Sequence, residues 1–361
     1  MKDPRIERHA KVLVRYSVAA KPRELIAVDA TPQAESLVLA VYEELLRAGA
    51  WPVLRMQPDG AAEAFYRLGR AHHFDQVHAL QRAMARELHG SIRIECSANT
   101  RALSAIPPAR LARVSRASLP LREKMLRKKW CLTLHPTQAY AQDADMSLAD
   151  FEDFVYAALF ADEKNPVAAW NALSRRQARL VRSLHGARTV RLVGPDTDLT
   201  LSVAGRTFIN SDGHHNLPSG EIFTGPVEDS AEGHVAFDYP VCEGGREVDG
   251  IRLVLRRGRV VEASATKNQD YLFAMLDLDG GSRRLGELGI GTHFGIRRFT
   301  RNILFDEKIG GTVHLALGRS YEETGGRNRS ALHWDMIKDL RRGGAIFVDG
   351  RPFQKDGRFV A

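Results

Sequence analysis

Between Asp306 and Asp335 the chain reads DEKIGGTVHLALGRSYEETGGRNRSALHWD, which gathers Glu307, His314, Tyr321, His333 and Asp335 into one short stretch. Two further glutamates stand upstream, Glu221 in LPSGEIF and Glu287 in GELGIG. Carboxylate and imidazole ligands mixed in this way suit a hydrolytic metal site. Geometry supports the same idea. If Gly311 to Leu317 is a strand, side chains alternate, so Val313, Leu315 and Leu317 face one way and Thr312, His314 and Ala316 the other. In ALHWDMI the same alternation puts His333 and Asp335 on one face, with Leu332, Trp334 and Met336 behind them. On a helix, residues two apart would not face each other, so the H-x-D spacing makes a ligand pair only if the segment is extended.

Four carboxylates drawn together raise one another's pKa unless cations intervene. Glu221, Glu287, Glu307 and Asp335 would be balanced by two divalent ions. With His314 and His333 added, the donor set favours zinc, cobalt or manganese over calcium or magnesium. Such a pair of ions activates a water and polarises a carbonyl. Each residue also has a structural reading: Glu221 as exposed loop, Glu287 between glycines as part of a turn, His314 as a satisfied core histidine, Tyr321 as packing. His214 and His215 in DGHHNLPSGE point apart on an extended chain and are candidates for positions around the ligands or in a substrate cleft. No G-x-S-x-G elbow supports serine catalysis.

The elements that must position these groups follow from the rest of the chain. A length of 361 residues makes two domains the natural expectation, and a hydrophobic content of 44 % fits a globular protein. No apolar run reaches the roughly 20 residues of a membrane helix, and the charged start lacks the apolar core of a signal peptide, so a cytoplasmic protein is expected. Cys96, Cys131 and Cys242 are scattered and suggest buried thiols rather than a disulfide framework. The net charge of +8 is spread in short clusters around Lys128 and Arg257, which reads as solvated surface rather than a nucleic-acid footprint.

From Leu25 to Leu54 the pattern is strand, helix, strand, with Thr31 and Pro32 as a helix start, Leu37, Val38, Val41 and Leu45 as the apolar stripe, and Gly49 as the stop. No phosphate-cradling glycine motif accompanies this βαβ unit. Two helical stretches occupy Leu148 to Leu184. After Gly186 the texture turns to short alternating strands, including a hairpin about Arg257-Gly258. The fold class is therefore α/β (α+β): an N-terminal βαβ-containing domain, residues 1–184, and a mixed-sheet metal-binding catalytic domain, residues 185–361.

The motifs LPSGEIFTGPVEDSAEG, GELGIGT, DEKIGGTVHLALGRSYEETGG and HWDM, in this order, resemble the M29 family of metallo-aminopeptidases, with weaker similarity in WCLTLHPTQAYA, FEDFVYAALF, NPVAAW, PDTDL and ELLRAGA. The resemblance implies a two-domain homodimer that uses two divalent ions per chain to release N-terminal residues from short peptides. It implies that Glu221, Glu287, Glu307, His314, His333 and Asp335 occupy metal-binding positions and that Tyr321 stands beside the metals. The segment joining Glu307 to His314 is longer than the family pattern, which leaves Glu307 open as ligand or as acid/base. The family fold is also similar to a mononuclear iron dioxygenase that opens a dihydroxypyridine ring, one rival reading; a non-enzymatic RNA-binding protein is the other.

Overall fold

The computed structural model describes residues 3–243 and 246–360. They form two compact units, one running up to Asn171 and including Gly213–Pro218, the other comprising Ala172–Asp212 and Ser219 onwards. The division falls inside the Pro166–Ser183 helix. Among the described residues no helix is long and apolar enough to cross a membrane.

The first unit is built on a five-stranded sheet in the order Trp51–Met56, Leu25–Ala30, Gly90–Glu95, Lys129–Leu134, Asn216–Leu217. All its pairings are parallel, as expected where strand-helix-strand units carry apolar strands. The Glu35–Arg47 helix buries Leu37, Val38, Val41 and Leu45. Thr31 does not cap this helix through its hydroxyl; that group donates instead to the Cys96 carbonyl at 2.9 Å, tying the first strand's exit to the end of the third. The short Asn216–Leu217 strand explains why Gly213–Pro218 belongs to this unit: it extends the sheet at Lys129–Leu134. His214 and His215 lie in that segment, their rings against Tyr16 and Trp130 respectively. Cys96 and Cys131 are buried thiols, and Cys242, in the second unit, is half-buried.

One polar feature inside the first unit has a thermodynamic consequence. His9 is fully buried, with Nε2 2.8 Å from the Thr133 hydroxyl and Nδ1 unpaired. Burial lowers its pKa to about 3, and burial lowers that of His135 to about 4. Because the neutral rings are the buried forms, the unfolded chain takes up protons first. Stability is complete above the ordinary histidine pKa and is lost as pH falls from about 6.5 toward the folded values. Acidification to pH 5 is expected to cost about 2 kcal/mol for each histidine. Thermal melts between pH 7 and 5 check this, with a shallower dependence expected for His9→Gln.

The second unit holds two larger antiparallel sheets. Eight strands run in the order Arg259–Ser264, Arg252–Arg256, Glu232–Ala236, Thr197–Ser202, Thr189–Gly194, Ala345–Val348, Arg351–Lys355, Arg358–Phe359. The hairpin at Arg257-Gly258 turns through two residues of positive φ. Five strands form the other sheet, in the order His333–Asp339, Thr312–Gly318, Leu285–Gly291, Glu221–Thr224, Ile209–Ser211. A single apolar core takes Leu192, Leu199, Leu201, Val235, Leu253 and Leu255 from the first of these sheets and Ile222, Leu288, Ile290, Val313, Leu315, Leu317, Trp334 and Met336 from the second. Alternation along each strand then assigns Glu221, Glu287, His314, His333 and Asp335 to the opposite face of the five-stranded sheet.

Candidate metal centre

His314 and Asp335 sit on neighbouring strands whose register sets Ala316 opposite Asp335 and Gly318 opposite His333. On the other side His314 pairs with Gly289 and Ala316 with Glu287, and Gly291 pairs with Glu221 on the next strand. Glu287 therefore lies within a buried strand, not in a turn, and the glycines beside it serve packing. Glu307 comes from outside the sheet, on the residue that ends the Ile303–Asp306 helical turn.

These elements bring all six sequence-predicted ligand residues into two adjoining triplets, Glu221 with Glu307 and His314, and Glu287 with His333 and Asp335. Within each triplet the ligand atoms lie within 4.8 Å of one another. Glu287 touches both: Oε1 is 3.2 Å from His314 Nε2, and Oε2 is 3.6 Å from His333 Nε2. The triplet separation at Glu307, despite its longer connection to His314, remains short enough to complete the first group.

The donor set fits a cation centre. Glu221 Oε2 and Asp335 Oδ1 are buried with no hydrogen-bond partner. His333 directs Nδ1 at the Arg319 carbonyl, 2.9 Å away, and Nε2 at Asp335 and Glu287; a backbone carbonyl holding one nitrogen fixes the ring with the other aimed inward, the usual support for a metal-binding histidine. Burial raises the Glu307 carboxyl above the ordinary range against the pull of Lys308, and burial raises Asp335 against that of the two histidines. Burial alone would depress His314, but its hydrogen bond to Glu287 and the charges of Glu221, Glu287 and Glu307 raise it to about 10. The ion-free site thus holds protons that divalent cations would displace.

Tyr321 follows the His314 strand and leads into the Glu322–Thr324 turn. Its ring meets those of His333 and Phe223 at centroid distances of 5.3 and 5.5 Å. Although 46 % of the residue is exposed, crowding of the phenol and then the carboxylates of Glu287 and Asp335 hold its pKa well above the ordinary value. It remains a neutral hydrogen-bond donor.

A description of the thermophilic metalloprotease family, M29, matches residues 2–359. The chain belongs to the M29 family. It is 30 % identical to Aminopeptidase T of Thermus aquaticus over 80 % of this chain and 81 % of that one, and 28 % identical to Aminopeptidase 2 of Geobacillus stearothermophilus over 88 % and 84 %. The structure of wild-type AmpT from Thermus thermophilus shares the fold of this M29 chain, with a TM-score of 0.87 at 24 % identity over 99 % of each. A 2,5-dihydroxypyridine dioxygenase from Pseudomonas putida shares it more distantly, with a TM-score of 0.57 at 17 % identity over 99 % of this chain and 96 % of that one.

Two residues that shape this cluster in the M29 chain escape a reading by residue type. Lys308 is fully buried, with Nζ 2.6 Å from Glu221 Oε1 and in contact with Glu307 Oε1; a lysine beside acidic residues ordinarily signals surface. Gly289 lies across from His314, and a Cβ there would stand 1.9 Å from Cε1 and 2.1 Å from Nε2 of the imidazole. Only a missing side chain leaves the ring its place. Gly289→Ala is expected to lower kcat about a hundredfold, since ångström-scale displacement of a reacting group costs that much, while circular dichroism stays unchanged.

Proposed function

We propose that this M29 chain is a dinuclear metallo-aminopeptidase that removes residues one at a time from the free N-termini of short peptides. The observation that carries the reading is the pair of adjoining triplets with Glu287 between them. Glu221, Glu307 and His314 would hold one ion and Glu287, His333 and Asp335 the other, as zinc, cobalt or manganese. When bound, two such ions supply Lewis acidity toward the scissile carbonyl and an activated water.

The chain's own groups do the rest. The protonated Tyr321 hydroxyl donates to the oxygen on which negative charge develops at the peptide carbonyl. Glu307 either completes its triplet or moves a proton, and its contact with Lys308 is compatible with both. Phe223 and His333 flank the Tyr321 ring and restrict its swing. Six ligand-type side chains also weigh against the mononuclear dioxygenase, which needs fewer carboxylates and open positions on one metal. A homodimer in the cytoplasm goes with this reading, supported by the motifs shared with the family.

Chelation followed by reconstitution tests it. Removal of divalent ions is expected to abolish hydrolysis of aminoacyl amides, and Zn²⁺, Co²⁺ or Mn²⁺ to restore it with two ions per chain at saturation. Full restoration by a single equivalent would contradict the dinuclear arrangement, and one iron per chain with oxygen uptake would favour the dioxygenase.

A further inference from the structure

Lys308 is buried completely, yet no part of the mechanism above uses it. Its position is tightly determined. The residue follows Glu307 at the end of a helical turn, its amide donates to the Phe305 carbonyl, and its own carbonyl accepts from the His293 amide at 3.0 Å. From there the side chain reaches Glu221 on one side, 2.6 Å away, and Glu307 on the other. Both contacts are made to a single oxygen, Oε1, of each carboxylate. The second oxygen of Glu221, Oε2, is buried without a hydrogen-bond partner and stands 3.3 Å from His314 Nε2. The ammonium thus takes one oxygen of each glutamate, and on Glu221 it leaves the other buried and unpartnered.

We propose that Lys308 is a positioning residue that restricts Glu221 and Glu307 to one-oxygen ligation and thereby sets the ion preference of their half of the site. The inference rests on the dinuclear reading. Its chemistry follows from what different ions demand. Zinc takes about four ligands and accepts single carboxylate oxygens, whereas calcium takes about six to eight oxygens, often both from one carboxylate. A buried cation occupying Oε1 of both glutamates withholds the oxygens calcium would need. Groups that orient ligands in this way commonly change metal affinity by about 10–100-fold when removed.

Replacing the lysine also removes a positive charge, which would by itself tighten any divalent ion. Comparing two ions of equal charge cancels that effect to first order, so their ratio reports geometry. The experiment is calorimetric titration of the ion-stripped full chain with Zn²⁺ and, separately, Ca²⁺, for wild type and Lys308→Met. The wild type is expected to prefer Zn²⁺ strongly at both steps. Lys308→Met is expected to narrow the Zn²⁺-to-Ca²⁺ ratio at one of the two steps by at least about tenfold and leave the other step in place. A constant ratio with both ions shifted together, as a merely structural lysine would give, overturns the proposal, and so does a ratio that widens. If Lys308→Met does not fold, Lys308→Gln, uncharged but with an amide donor, is titrated in the same way and judged by the same ratio. Failure of the wild type to bind Zn²⁺ at all would instead overturn the metal-site reading on which the inference rests.

Discussion

Glu287→Gln is expected to lower kcat by at least about a hundredfold while leaving the fold intact. Loss of a group that only orients a ligand already costs about 10–100-fold, and Glu287 is better placed than that, facing His314 through one oxygen and His333 through the other. The glutamine keeps the volume of a side chain that is 4 % exposed within a strand, so no cavity forms; what it loses is the charge shared between two triplets. Metal content measured beside turnover separates the possible causes. Near-normal turnover with two ions bound would remove Glu287 from the centre. Glu307→Gln is the informative companion: a lost ion means a ligand, and full metal content with slow turnover means proton transfer.

N-acetylation of an otherwise good peptide is expected to reduce its hydrolysis by on the order of a thousandfold or more, as sites built around a substrate's polar group reject analogues that lack it. On the proposed reading the carboxylates of Glu221, Glu287, Glu307 and Asp335 face the substrate's amino end, and a free α-amine offers either a cation to those carboxylates or, once deprotonated, a lone pair to an ion. The acetyl group removes both. Unblocked peptides and aminoacyl amides should therefore shorten stepwise from one end. Mass spectrometry of timed digests distinguishes the outcomes: internal cleavage of blocked peptides at a comparable rate would end the aminopeptidase reading and leave only a metal hydrolase.

What could be read without coordinates was whatever depends on alternation along one segment. The inward set Val313, Leu315 and Leu317 and the outward His314 follow from period two, as do Trp334 and Met336 behind His333 and Asp335, and the core confirms them. The βαβ unit near Leu25 shows instead through the helical spacing of Leu37, Val38, Val41 and Leu45 and the glycine that follows it. Properties of pairing between segments were not legible. That Gly289 must be bare depends on its register with His314, and that Glu287 is strand rather than turn depends on neighbours on both sides. Lys308 is silent in the sequence because a charged side chain declares nothing about burial until its partners are known. The return of Gly213–Pro218 to the first unit rests on one short strand pairing, which carries almost no pattern of its own.

The order of strands in the five-stranded sheet bears on biosynthesis. Glu221 and Glu287 are made well before His333 and Asp335, and the strand bearing the last two forms the edge of its sheet, beside Thr312–Gly318. A chain emerging from the ribosome therefore has no complete second triplet until that edge strand has been released and docked. A copy that stops short of the His333–Asp339 strand therefore carries the earlier motifs without the two residues that complete the second triplet.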